Sequence, residues 1–169
     1  MQKEVPFAIA MESRYPEQVA LAMVRDLQGR YNPITLSWVM PVSMQPAMMA
    51  IAVGRNRYTA ESLRQSREFV LAYPSEAQAE AAKYFGSHSG RDTNKLSAVR
   101  CETERASKVD SRLLTEAVAN FECKLVREVE TGDHIIFIGE VVACHVHANP
   151  ASRLYTLVKS QHMGGFKQK

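Results

Sequence analysis

Ala119-Asn-Phe-Glu-Cys-Lys-Leu-Val-Arg-Glu-Val129, the triplet Thr131-Gly132-Asp133, and His134-Ile-Ile-Phe-Ile-Gly-Glu-Val-Val-Ala-Cys-His-Val-His147 decide the fold class. In the first run Phe121, Cys123 and Leu125 alternate with Glu122 and Lys124, the period of a strand with one apolar face. A Gly-Asp turn between two such runs predicts a long β-hairpin. Upstream, Val19-Ala-Leu-Ala-Met-Val-Arg-Asp26 reads as a strand that ends in the turn Gln28-Gly29-Arg30-Tyr31-Asn32-Pro33. Ile34–Met40, rich in β-formers and stopped by Pro41, and the continuous apolar run Ala47–Gly54 read as two more strands, and Phe69–Tyr73 as another. Thr59 is expected to cap a short helix running to Ser66. Ser75 is expected to cap an Ala/Glu-rich helix that ends at Gly86. From Ser87 to Leu114 the sequence reads as irregular, with one short helix near Thr93–Ala98; the tail from Asn149 reads as short and polar. Six strands, three short helices and no βαβ rhythm point to a mainly β, closed or partly open barrel in one domain, 1–169.

Composition narrows the function classes. The chain has 169 residues, 46% hydrophobic and 23% charged, an ordinary globular balance that excludes disorder. No apolar run reaches the roughly 20 residues that span a bilayer, and Met1-Gln-Lys-Glu-Val-Pro6 has no signal-peptide layout, so a cytoplasmic protein is expected. Cys101, Cys123 and Cys144 show neither CxxC spacing nor an even count, and each is expected as a small buried hydrophobe. A net charge of +3 argues against a nucleic-acid binder. Arg55, Arg57, Arg64 and Arg67 with one acid, Glu61, carry an excess equal to that of the whole chain, which suggests a local site for one phosphate. There is no GxGxxG, P-loop, GxSxG or HExxH motif.

Three segments are left to carry chemistry. In Asn32-Pro-Ile-Thr-Leu-Ser-Trp38, hydroxyls and an amide stand beside the only tryptophan; they suit a polar aromatic ligand, or Trp38 fills the core. Arg55-Asn-Arg-Tyr-Thr59 places two arginines at a helix start, an anion site or a solvated turn. Ser87-His-Ser-Gly-Arg-Asp-Thr-Asn-Lys95 is a polar loop of anion-binding composition. His145 and His147 share a strand face, but no third ligand stands nearby, and no metal site is expected. Met44, Met48 and Met49 are expected as core filler.

In this order and at these separations the segments resemble the flavin reductase-like family, the FMN-binding split-barrel group that includes flavoredoxin and ferric reductase. The resemblance rests on Asn32–Trp38, Pro41-Val-Ser43 with Pro46, Ala50-Ile-Ala-Val53 with Arg57-Tyr-Thr59, and Ser89-Gly-Arg-Asp-Thr-Asn-Lys95, and runs from Val19 to Val146. It implies a homodimer of Greek-key split barrels, each binding FMN near the subunit interface. Asn32, Thr35, Ser37 and Trp38 take the place of the first flavin-contacting segment. Ala52, Val53 and Gly54 match the strand whose backbone meets the ring edge. Arg57, Tyr58 and Thr59 match phosphate or ribityl contacts, and Ser89, Gly90, Arg91 and Lys95 a second anion-binding loop. His162-Met-Gly-Gly-Phe166 echoes the closing segment, with phenylalanine where the family has tyrosine; Pro46-Ala47 replaces a proline pair. The implied activity is transfer of hydride from NAD(P)H to flavin, and of electrons to free flavin, ferric iron or a redox partner. No side-chain acid or base is needed for it, and no catalytic residue is named. A flavin carrier or sensor without turnover would share the same residues, and a structural barrel that has lost its site is the remaining alternative.

Overall fold

The computed structural model describes residues 1–149, 152–158 and 162–166; the side chains of His162 and Phe166 lie outside that description. A short helix α1 (Phe7–Ala10) and a 3-10 turn (Met11–Arg14) lead into β1 (Glu17–Gln18), β2 (Ala20–Arg25) and β3 (Tyr31–Leu36). Strands β4 (Val39–Met44) and β5 (Ala47–Gly54) precede helix α2 (Tyr58–Ser66) and β6 (Glu68–Tyr73). A 3-10 turn (Glu76–Gln78), helix α3 (Ala79–Ser87) and helix α4 (Lys95–Ala98) lead to a small hairpin, β7 (Thr103–Arg105) and β8 (Arg112–Leu114). The long hairpin is β9 (Ala119–Glu130) with β10 (His134–Val146), and β11 (Arg153–Val158) and β12 (His162–Phe166) follow.

Seven antiparallel strands form one sheet in the order β3-β2-β6-β9-β10-β5-β4. Its two edges, β3 and β4, are consecutive in sequence and separated only by Ser37 and Trp38. Two residues cannot cross a flat seven-stranded sheet, where neighbouring strands lie about 4.8 Å apart. The sheet is therefore rolled until its edges meet at that corner, and it stays open where β3 and β5 diverge. This is the mainly β split barrel expected from the sequence.

The expected single strand Ile34–Met40 is thus two strands on opposite edges. Pro41 does not end the second one, because an edge strand needs no ladder N–H on its outer side. Pro33 is likewise tolerated on the other edge. The supposedly polar tail contributes β11 and β12, which with β1 form a second sheet, and the supposedly irregular 87–114 segment contains β7 and β8. Thr59 is not the cap of α2: the helix starts at Tyr58 with Arg57 at the N-cap position and no side-chain cap. After Ser75 the chain makes a 3-10 turn before α3 begins, and α3 runs one residue past Gly86.

The barrel is filled by Phe69, Phe137, Ile51, Val53, Ile135 and their neighbours, with Ala60 and Leu63 of α2 sealing one end. Each fully buried aromatic or aliphatic side chain contributes roughly 1.5–3 kcal/mol. Gly139 of β10 is required here, since a Cβ would stand 2.8 Å from the Phe69 ring. A second core lies outside β2 and β6, where Leu21, Met23 and Val70 pack on Phe85 of α3 and on Leu114. Burial on both faces explains why β2 reads as an unbroken apolar run. Met23 and Met49 are core residues, whereas Met40 and Met44 stand exposed on β4, and Cys144 is exposed as well. The Cys123 thiol is buried, and that burial pushes its pKa up to about 12.

Glu122, expected on the strand face opposite Phe121, Cys123 and Leu125, is not solvated there. It is fully buried beneath residues 107–109 and accepts hydrogen bonds from the backbone N–H groups of Ser107 (2.9 Å), Lys108 (2.5 Å) and Val109 (3.1 Å). The Ser107 hydroxyl (2.8 Å) and His145 Nε2 (2.7 Å) complete the cage, which gives His145 a structural partner. Burial opposes ionisation, but these bonds outweigh it and hold the carboxyl at about 2. A carboxyl depressed in the folded state stabilises fully above its ordinary 4.5 and loses that contribution as pH falls towards 2. Glu122→Gln should cost roughly 1–3 kcal/mol at pH 7. Urea denaturation should then show a shallower loss of stability between pH 4.5 and 2 than in the parent.

Candidate flavin site

The opening between β3 and β5 continues as a groove towards the N-terminus of α2. Its outer part, about 320 Å³, is lined by Thr35, Ser37 and Trp38 from the β3–β4 corner and by Ala52 and Gly54 of β5. Its inner part, about 240 Å³, lies among Tyr58, Thr59, Ser89, Gly90, Arg91 and Lys95. Ile34, Arg57 and Gly86 border both parts, so the two are continuous.

Lys95 is the unusual group. Only 4% of it is exposed, and its Nζ donates to the Pro33 carbonyl at 2.8 Å and to the Phe85 carbonyl at 2.9 Å. These bonds tie β3 to the C-terminal turn of α3, where a cation is favoured by the helix dipole. No carboxylate pairs with it among the described residues. Burial first, and the charge of Arg57 second, lower its pKa to about 8. The Arg57 guanidinium has no hydrogen-bonding or ion-pairing partner among the described residues, although the Arg57 backbone bonds to Gly54 and Ala60. Two cations thus face one cavity without a counter-charge, beside the uncapped first turn of α2, which presents free N–H groups. Buried Tyr58 Oη also lacks a hydrogen-bond partner among the described residues.

The other three positive charges of the 55–67 stretch serve the scaffold instead. Arg55 pairs with Glu130 (3.0 Å), and Arg64 with Glu128 (3.0 Å) and Glu130 (3.4 Å), all on the long hairpin. Arg67 adopts a left-handed backbone (φ 54°) at the end of α2 and donates to the Leu125 carbonyl. Arg91 pairs with Glu61 and donates to the Asn56 carbonyl at 3.2 Å. The whole arginine cluster is therefore not a phosphate site: of those four arginines only Arg57 is free to meet an anion, and Lys95 supplies the second charge.

Asn32 and Val53 do not line the groove. Val53 points into the barrel core. Asn32 stands behind the wall, its Nδ2 on the Thr59 hydroxyl at 3.2 Å and its Oδ1 without a partner among the described residues. Thr35 uses its hydroxyl on the Ala82 carbonyl (2.6 Å), which docks α3 onto β3. The Ala52 N–H, expected as a free donor, is taken by the Trp38 carbonyl at 2.9 Å. Ser89 Oγ accepts from the Arg91 N–H at 3.1 Å, shaping the loop. Trp38 is 44% exposed, which excludes its reading as core filler; its ring lies 4.6 Å from the His134 imidazole, tilted by 39°.

Sequence reasoning missed His134 and Arg14. His134 borders the outer part, and its Nδ1 is 2.7 Å from Asp133. It sits directly opposite Gly54 in the β10–β5 register, a pairing that only the hairpin turn position could have signalled. Arg14 reaches the same groove from the N-terminal segment, held at 2.8 Å by Glu17, and nothing in its local sequence marks it.

Residues 11–163 match the flavin reductase like domain, and the chain belongs to that family. A protein of Archaeoglobus fulgidus is 36% identical over 111 residues, 66% of this chain and 63% of that one. An NADH-dependent FAD reductase of Streptomyces globisporus is 31% identical over 101 residues, covering 60% and 55% respectively. The aligned part thus spans between about half and two-thirds of these relatives. A solved structure of an FMN-binding protein from Thermus thermophilus superposes with a TM-score of 0.82 at 24% identity, over 100% of this chain and 95% of that one. Among the described residues no helix is long and apolar enough to cross a membrane.

Gly90 is where backbone and wall meet most closely. A Cβ there would overlap Asn32 Oδ1. Gly90→Ala should push Asn32 off Thr59 and narrow the inner cavity, lowering anion affinity and costing roughly 1–3 kcal/mol of stability. Isothermal titration with flavin phosphate, alongside thermal melts, checks both parts.

Proposed function

We propose that the chain is an FMN-dependent oxidoreductase of the flavin reductase type, fed by NAD(P)H. The observation that carries this reading is Lys95: a buried cation, lining the same cavity as Arg57, that has no acidic partner among the described residues. A phosphate dianion supplies the missing charge, and the orphaned Tyr58 hydroxyl a further hydrogen bond. The donor set fits a phosphorylated flavin. In this reading Lys95, Arg57 and the first turn of α2 hold the phosphate. Thr35, Ser37, Trp38, Ala52 and Gly54 accommodate the ring, with Tyr58, Thr59, Ser89 and Gly90 walling the ribityl chain. Asn32 and Val53 support the wall from behind.

Bound FMN would supply the redox chemistry, taking hydride from NAD(P)H and releasing electrons to free flavin, ferric iron or a redox protein. The chain's own residues bind, orient and desolvate; no side chain is assigned as catalytic acid or base. The 1–169 chain acts as one flavin-binding unit in this account. The name of the Streptomyces relative supports NADH as donor, and that of the Thermus protein supports FMN. We also take the protein as a homodimer. Met40, Val42 and Met44 are exposed on β4 beside Trp38, and no charged residue occurs from Tyr31 to Gly54. An apolar edge of this kind calls for a covering partner, and a second copy would close the ring end of the groove.

The purified protein should be yellow or take up added FMN, and anaerobic NADH or NADPH should bleach it rapidly. Binding without bleaching would favour the carrier reading, and no FMN binding would rule out both. Lys95→Met and Arg57→Ala should each weaken FMN binding by roughly 10- to 100-fold. Thermal melts separate this loss from misfolding. The bound dianion favours protonated Lys95, so affinity should be level from about pH 7, where the flavin phosphate is fully dianionic, to pH 8 and fall above it as the free protein loses that proton.

A further inference from the structure

The loop after α3 crosses the mouth of the inner cavity and is fastened on both sides. Arg30 of the β2–β3 turn, itself fixed by Asp26 at 2.9 Å, donates to the Gly90 carbonyl at 2.5 Å. One residue on, Arg91 reaches across the cavity to the opposite rim. There it donates to the Asn56 carbonyl, pairs with Glu61 of α2, and lies 5.2 Å over the Tyr58 ring. The cavity is thus bounded behind by buried Lys95 and in front by the Arg91–Glu61 pair.

We propose that this pair is a gate that restricts the site to phosphate monoesters and so selects FMN over FAD; this rests on the flavin reading above. A terminal phosphate fits between Lys95 and Arg57 with nothing beyond it. A diphosphate carrying an adenosine must continue outward between residues 56–58 and 89–91, the line that Arg91 spans. Its second phosphate would also meet the Glu61 carboxylate, a like charge. Arg91, with its charge already matched by Glu61, closes the site, while the phosphate is held from the inside. Both partners are about half exposed, so the pair opens at modest cost and flavin can exchange.

Titrating the full chain with FMN and with FAD, by fluorescence, tests this. The parent should bind FMN at least about tenfold more tightly than FAD. Glu61→Gln, which keeps the side-chain size, should narrow that ratio by roughly fivefold, the upper range for a half-exposed ion pair. It should also speed FMN release. Arg64→Gln, which breaks a different ion pair of the same helix outside the groove, should leave the ratio unchanged. Equal binding of the two flavins by the parent, an unchanged ratio in Glu61→Gln, or the same shift in Arg64→Gln overturns the gate. Binding of neither flavin overturns the functional reading and the gate with it.

Discussion

The two residues between β3 and β4 constrain everything else. Because Ser37 and Trp38 join the two edges of a seven-stranded sheet, the sheet has to close there. Rolled around Phe69 and Phe137, it leaves an opening where β3 and β5 part. The corner therefore creates the groove and places the only tryptophan at its rim. With 44% of Trp38 exposed and its carbonyl bonded to Ala52, the corner is stitched to β5 through the backbone while its ring remains available. An apolar residue this exposed at an opening is better explained by a ligand or a partner copy than by packing.

At the other end of the groove the deciding interaction is a cost. Burying Lys95 without a carboxylate disfavours its charged form, and the neighbouring Arg57 adds to this. The two carbonyls that Lys95 reaches compensate in part and make it a structural clamp between β3 and α3. An anion in the cavity would complete the compensation. Scaffold and site thus share one residue, so the pocket's shape and its charge are not independently variable.

Much of the architecture was legible in sequence, because the β9–β10 hairpin announces itself by alternation and by its Gly-Asp turn. What was not legible depends on tertiary context. Pro41 looks like a stop until its strand is known to be an edge, and Glu122 looks solvated until the 107–109 amides arrive to cage it. The small strands β7, β8, β11 and β12 lack any apolar period long enough to register. For the site, residues of all three segments line one groove, but the charges counted over 55–67 are largely spent elsewhere. Counting arginines over 55–67 suggested a basic patch, yet Arg55, Arg64 and Arg67 are held by Glu130, Glu128 and the Leu125 carbonyl on β9. Those partners lie some sixty residues or more away in sequence, beyond any local reading. Lys95, one polar residue in a polar loop, gave no sign that it would be buried.

The claim that Lys95 is a buried cation awaiting a phosphate is tested most directly by following its side chain by NMR as a function of pH. Without flavin, Lys95 should titrate near 8, and saturating FMN should move that titration upward. An ordinary lysine titration in the free protein, or one that FMN leaves unmoved, would contradict the account.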